Sequence, residues 1–373
     1  MRLGINASII SPKPSGLGCY SENIINQLVQ QRNNDQIVVY TSFPDRLDLF
    51  SNSAVRLIPE AVQPISLKGH LNRFSWAQFT LPGIIHRDKI DLLLNTYVDG
   101  PLFLPVPQII TIHDLLPLIF PQEYPRQRLY FKTCVRTLAN KAKIVLTCSE
   151  HTKKDIVRCF GISPLKIRTV HLGFDPTHFY PRKASAQVKG LTGGLPYILY
   201  LGNLLPHKNV SGVIRAFANI SKKFPHLLLI AGNKDPRYFP GLQALTKSLE
   251  VNQRVVFLDY LTYAQIPELL SSCDVFVFAS LYEGFGLPLL EAMSCGAPVV
   301  TSNSSSMPEV CADSAIYVNP YSYESISEGI KKVLSDNALR DSLIAKGVER
   351  SRLFSWKNTG KDTYAVLREA LAK

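Results

Sequence analysis

With 373 residues the chain exceeds one ordinary core and suits two domains of roughly 150–200 residues each. Hydrophobic residues make up 46% and charged residues 19%, which excludes a disordered chain, and no apolar run approaches the roughly 20 residues of a membrane-spanning helix. The net charge of +12 is crowded before residue 186, where 22 Lys and Arg face 13 Asp and Glu. That excess calls for an anionic partner without choosing among nucleic acid, a membrane surface and a phosphorylated substrate.

In chain order, Arg2–Ile10 reads as a strand rather than a leader, so the expected location is cytoplasmic. A Ser/Pro/Gly loop follows, then an amphipathic helix over Tyr20–Gln31. Short apolar runs at Ile37–Thr41, Ile90–Asn95, Val106–His113 and Ile144–Ser149 read as buried strands. The polar stretch 181–196, bounded by Pro181 and Pro196, reads as a linker. Beyond it, Tyr197–Gly202, Leu227–Gly232, Val255–Leu258, Val275–Ala279, Pro298–Thr301 and Ala315–Val318 alternate with helices at Val210–Lys223, Leu242–Leu249, Ile266–Ser272 and Pro288–Cys295. The expected fold is α/β: two Rossmann-like doubly wound domains facing a cleft, over 1–183 and 184–355, with a helix at 356–373 crossing back to the first. Seven scattered cysteines without a C-x-x-C pair argue against disulfides and structural zinc.

The strongest chemical signal is Ala279-Ser-Leu-Tyr-Glu283-Gly-Phe-Gly-Leu-Pro-Leu-Leu-Glu291. A strand ends, a glycine-containing loop follows and Pro288 suits the start of a helix, whose exposed amides at Gly286 and Leu287 suit a phosphate. Two carboxylates beside a diphosphate would repel it unless each accepts hydrogen bonds from neutral hydroxyls. Spacing alone also allows a capped helix with Glu291 on its solvated face, or a hydrolytic acid–nucleophile pair.

The run E-G-F-G-L-P-L-L-E, with C-G-A-P-V-V-T-S-N and M-P-E-V after it, resembles the signature of the family 4 retaining glycosyltransferases of GT-B fold. The similarity extends from G-I-N-A at Gly4 to F-S-W at Phe354–Trp356. The resemblance implies a retaining hexosyltransferase, with a nucleotide-sugar donor on residues 197–340 and a glycan or lipid-linked saccharide acceptor on residues 1–180. Glu291 would hold the ribose and Glu283 the transferred sugar. The backbone at Phe285, Gly286 and Leu287 would hold sugar hydroxyls and phosphate. Lys208 in G-N-L-L-P-H-K-N would clamp the diphosphate. Where the family often carries two arginines near that lysine, this chain has Asn203 and His207. Gly16 and Gly18 resemble the family's G-x-G loop, and His113 its histidine beside the reacting carbon. A diphosphate leaves as an anion and needs positive charge rather than a proton, which favours transfer over hydrolysis.

The same residues most resemble mannosyltransferases of polysaccharide and O-antigen assembly, so GDP-mannose is the leading donor. A UDP- or dTDP-sugar transferase, a nucleotide-sugar epimerase and a non-catalytic subunit are the alternatives. The base pocket is expected near Val255–Leu261. No D-x-D and no His/Cys cluster at ligand spacing occurs, so no metal or cofactor is expected. Arg126, Arg128, Lys132 and Arg136, interleaved with Leu129, Tyr130 and Phe131, suit either a surface helix or a patch for anionic headgroups. Nucleic acid is disfavoured, since neither an aromatic-rich binding strand nor a basic helix-turn-helix segment is present.

Overall fold

The computed structural model describes residues 1–12, 16–31, 35–47, 54–59, 62, 67–258 and 261–372. These divide into two compact units, Met1–Gly173 with Trp356–Lys373, and Phe174–Ser355.

In the first unit β1 (Arg2–Asn6), β2 (Gln36–Thr41), β3 (Ala54–Leu57), β4 (Leu92–Asn95), β5 (Gln108–Ile112), β6 (Ile144–Thr147) and β7 (Ile167–Thr169) form a seven-stranded parallel sheet. The order is β3-β2-β1-β4-β5-β6-β7, so the chain reverses direction between β1 and β4, where Leu3 pairs with both Ile37 and Leu92. Strands β4, β5 and β6 are buried throughout, which is why they read as unbroken apolar runs rather than alternations. A cluster around Ile110, Ile112, Phe131 and Ile156 and another around Tyr40, Trp76, Leu81 and Leu93 belong to its core, with Leu3, Ile5, Ile24 and Leu28 also buried.

Helix Trp356–Ala372 belongs to this unit and packs on helix Gly16–Gln31. Gly360 makes the approach possible, because a Cβ there would lie 2.5 Å from Cβ of Gln27. The Gln31 amide donates to the Lys357 carbonyl at 3.0 Å, and Arg168 grips Glu369 through two N–H groups at 2.6 and 3.0 Å.

In the second unit β8 (Tyr197–Leu201), β9 (Leu227–Ala231), β10 (Val255–Leu258), β11 (Val275–Phe278), β12 (Val299–Ser302) and β13 (Ala315–Val318) form a six-stranded parallel sheet in the order β10-β9-β8-β11-β12-β13. Its reversal lies between β8 and β11. At the carboxyl ends of β8 and β9 two backbones nearly touch: a Cβ on Gly232 would meet the Gly202 carbonyl oxygen at 1.8 Å. Only glycine fits there.

Three expectations need correction. The stretch 181–196 is not a bare linker: Ser185 caps helix Ala186–Thr192 by accepting from the Val188 N–H, and left-handed Gly193 ends it. Local capping signals outweighed the polar composition. The units divide at Gly173/Phe174 rather than 183/184, because the intervening residues are fastened to the second unit. Ser294 donates to the Phe179 carbonyl at 2.6 Å, the Arg182 N–H donates to Ser271, and His178 stacks on Tyr263 at 3.7 Å. Finally, the first helix begins at Gly16 rather than Tyr20, so Gly16 and Gly18 occupy its first turn instead of a loop.

Candidate active site

In the second unit, β8 ends at Leu201 and the chain passes Gly202 and exposed Asn203 to a 3-10 turn, Pro206–Lys208. Asn209 closes this turn in the left-handed region at φ 56°, and its side-chain amide donates to the Ala279 and Pro320 carbonyls at 3.0 and 2.7 Å. The turn is thereby tied to the end of the neighbouring strand β11. Lys208 Nζ lies 2.7 Å from both carboxylate oxygens of Glu283, with only 17% and 10% of the two side chains exposed. Lys208 and Glu283, 75 residues apart in sequence, are one ion pair.

Glu283 itself is held by the serines after β12. Ser305 accepts from the Glu283 N–H at 3.0 Å and returns its hydroxyl hydrogen to the Glu283 carbonyl at 2.6 Å. Ser306 Oγ lies 3.0 and 2.8 Å from the carbonyl oxygens of Glu283 and Phe285. Reading the residues in order missed both serines, although the polar run Ser302–Ser306 directly after a buried strand was a usable signal.

The Phe285 ring is buried against Phe354 at 5.9 Å, so only its backbone is available to a ligand. Gly286 sits at φ 102° and turns the chain into helix Leu287–Ser294. Pro288 brings no N–H and the Leu289 N–H donates to the Gly286 carbonyl at 3.0 Å, so the amides of Gly286 and Leu287 carry the positive end of the helix dipole. Glu291, one turn in and half-buried, has its carboxyl pushed up to about 7 by desolvation. His207 is buried, and desolvation followed by the Lys208 charge lowers it to about 4, so at neutral pH it adds no cation beside Lys208. The fixed positive charge here comes from Lys208, already engaged by Glu283, and from the helix start.

In the first unit, Gly16 opens helix Gly16–Gln31, and a Cβ there would meet nothing within 4 Å among the described residues; Gly18 is buried. His113 follows β5 and is buried. Its Nε2 lies 3.1 Å from the Thr96 carbonyl oxygen, which can only accept, so Nε2 carries the hydrogen and Nδ1 holds the lone pair. Burial lowers this imidazole to about 4, leaving it neutral. Tyr20 packs edge-on to the ring at 4.4 Å and Tyr97 stacks at 6.4 Å. Ser21, on the same helix as Gly16, donates to Thr96 Oγ1 at 2.8 Å. Asp114 accepts from the Leu116 N–H and shapes the next turn. Gly16, Gly18 and His113 thus lie in the first unit, and Asn203, Lys208, Glu283, Phe285, Gly286, Leu287 and Glu291 in the second. Of the expected base pocket, residues 259–260 lie outside the described residues. Among the described residues, no three His, Cys, Asp or Glu side chains are grouped to hold a metal ion, and no helix is long and apolar enough to cross a membrane.

Two Rossmann-like units of parallel sheet, with these side chains at the carboxyl ends of the strands, define the GT-B class of glycosyltransferase. The whole chain matches sucrose-phosphate synthase from Thermosynechococcus elongatus with a TM-score of 0.81 at 18% identity, covering 100% of this chain and 99% of that one. It matches Anabaena HepE in complex with UDP and glucose with a TM-score of 0.76 at 18% identity, covering 99% and 100%. The family described as Glycosyltransferase Family 4 matches residues 14–178, and that described as Glycosyl transferases group 1 matches residues 181–350. The chain belongs to the family 4 glycosyltransferases. It is 28% identical over 380 residues to O-antigen chain mannosyltransferase B of Escherichia coli, covering 94% of each chain. Over 333 residues it is 26% identical to O-antigen chain mannosyltransferase RfbU of Salmonella typhimurium, covering 88% of this chain and 90% of the relative.

Proposed function

We propose that this glycosyltransferase transfers mannose from GDP-mannose, with retention and without a metal ion, to a glycan or lipid-linked saccharide of a bacterial surface polysaccharide. The observation that carries the reading is the Lys208–Glu283 pair, set in the same unit as the Leu287–Ser294 helix start and Glu291. A diphosphate entering there draws Lys208 away from Glu283, and sugar hydroxyls then satisfy the released carboxylate. Glu291, once ionised, accepts the ribose hydroxyls. The bond from C1 to the diphosphate oxygen breaks, the acceptor oxygen bonds to C1 from the same face, and its proton passes to the leaving phosphate oxygen. To His113, buried and neutral, falls the stabilisation of positive charge developing at C1. The names of the two O-antigen relatives support mannose and a saccharide acceptor.

Exposed Arg126, Arg128, Lys132 and Arg136, with Leu129 68% exposed among them, suit anionic headgroups at the inner face of a membrane, where a lipid-linked acceptor would reside. A cytoplasmic enzyme touching that face peripherally accounts for the charge excess of the first half.

Calorimetric titration with GDP-mannose, UDP-glucose, ADP-glucose and a dTDP-sugar tests the donor. GDP-mannose is expected to bind tightest; silence from all four would overturn the reading, and preference for UDP or dTDP would move the base. The same titrations test Glu291. Desolvation pushes its carboxyl up to about 7, so it holds protons near neutral pH, and ribose binding favours the carboxylate. Binding at neutral pH should therefore release protons, read from the dependence of the heat on buffer ionisation enthalpy. Glu291→Gln should abolish that release and weaken the nucleotide. A chelator is expected to leave turnover unchanged; loss of rate restored by manganese would refute the metal-free mechanism.

A further inference from the structure

The basic helical segment over 125–141 turns a hydroxyl group inward beside its apolar core residues Phe131, Val135 and Leu138. Tyr130 stands between exposed Leu129 and buried Phe131, and its hydroxyl donates to Asp99 Oδ1 at 2.8 Å and lies 3.3 Å from the Val98 carbonyl. Asp99 is buried, and its Oδ2 lies 2.8 Å from Nη2 of Arg73, which is 3% exposed. The turn from Thr96 to Gly100 is held from other sides too. The Asn6 amide donates to the Asp99 carbonyl at 2.6 Å and the Gln78 amide to the Gly100 carbonyl at 2.9 Å.

Stability alone does not account for this arrangement. A buried ion pair is often no better than packed hydrophobes of the same volume. Among the described residues Arg73 Nε and Nη1 are buried with no hydrogen-bond partner, an added cost. What the arrangement does deliver is a fixed backbone. Tyr130 and Gln78 both come from helical segments that are locally widened into π turns, at Phe131–Val135 and Trp76–Thr80, and such turns re-aim the side chains beside and within them. Both segments place a side chain on the same five-residue turn.

That turn begins with the carbonyl that receives the His113 hydrogen. The Thr96–Tyr97 peptide plane is fixed only if both of its flanks are. Ser21 and Asn6 hold the Thr96 side: the Ser21 hydroxyl donates to Thr96 Oγ1 at 2.8 Å, and Thr96 Oγ1 donates to the Asn6 carbonyl at 3.1 Å. The other flank depends on Val98 and Asp99, and so on Tyr130 and Arg73. We propose that Tyr130 and Asp99 are positioning residues: they clamp segment 96–100 so that the Thr96 carbonyl holds the His113 ring in one orientation with its hydrogen on Nε2. Nδ1 then keeps its lone pair. This rests on the role assigned to His113 above.

Tyr130→Phe keeps the ring and its edge contact with Phe74 at 5.9 Å while removing the hydroxyl. Assayed as GDP release from GDP-mannose with water as acceptor, it should lower kcat by about 5–20-fold with KM within about twofold of wild type. In a His113→Ala background the same change should be silent. Nitrogen-15 NMR of the His113 ring should show a single Nε2–H tautomer in the wild type and a mixture in Tyr130→Phe and in Asp99→Asn. Equal losses in both backgrounds, an unchanged kcat, or an unmoved tautomer would overturn the clamp. If His113→Ala kept full activity, the His113 assignment would fall and this one with it. An impaired His113→Ala beside a fully active Tyr130→Phe would sink the clamp alone.

Discussion

Lys208→Met should lower kcat/KM for GDP release from GDP-mannose by about 10²–10³-fold, the scale of removing one preorganised charge at a developing anion. Methionine keeps the length of the stem and removes only the ammonium. Because His207 is neutral at working pH, no adjacent side chain takes over the charge. The substitution also strands Glu283, whose side chain is 10% exposed and loses both 2.7 Å contacts. Leaving a buried charge without its partner costs about 3–5 kcal/mol at full burial, and water at this edge of the site trims that figure. A drop in melting temperature is therefore expected beside the loss of rate. The two effects separate in the double variant Lys208→Met/Glu283→Gln, which removes the stranded charge. Its stability should recover while its activity stays low. Activity within threefold of wild type in the single variant, or recovered in the double, would remove Lys208 from the diphosphate site.

The parts of this enzyme that were legible in the residues are those set by local physics. Strands buried on both faces, such as Leu227–Ala231 and Val275–Phe278, announce themselves as apolar runs. Strand β3, Ala54–Leu57, did not, since it is an edge strand with mostly exposed side chains and carries Arg56. Strand β7 has only three residues. The turn into helix Leu287–Ser294 was readable because Gly286 and Pro288 each have one conformational use there. The left-handed cap at Asn209 was not, because its amide is satisfied by carbonyls of Ala279 and Pro320, which only the folded sheet brings near. The same holds for the Lys208–Glu283 pair: motif spacing identifies two charged groups but not that each is the other's partner. His113 was legible as a residue type at a strand end. Its neutral state and tautomer belong to burial and to Thr96, neither of which has a sequence signature.

Glu283→Gln is expected to do the reverse of Lys208→Met at the binding step. Glutamine keeps the size of the side chain and one acceptor oxygen, so the loop held by Ser305 and Ser306 through backbone atoms should stay in place. Without the carboxylate, Lys208 no longer leaves an ion pair to meet the diphosphate, and affinity for GDP-mannose should be unchanged or up to about tenfold tighter. Turnover should nevertheless fall by about 10²-fold, because a neutral amide accepts a sugar hydroxyl more weakly than a carboxylate and opposes less of the positive charge growing at C1. Tighter binding with slower turnover is the pattern of a group whose interaction is stronger in the transition state than in the ground state. Calorimetry and GDP release measured on one preparation give both quantities. A Glu283→Gln enzyme that bound GDP-mannose more weakly yet released GDP at the wild-type rate would make Glu283 a ground-state anchor, and the transferred sugar would have to be held elsewhere.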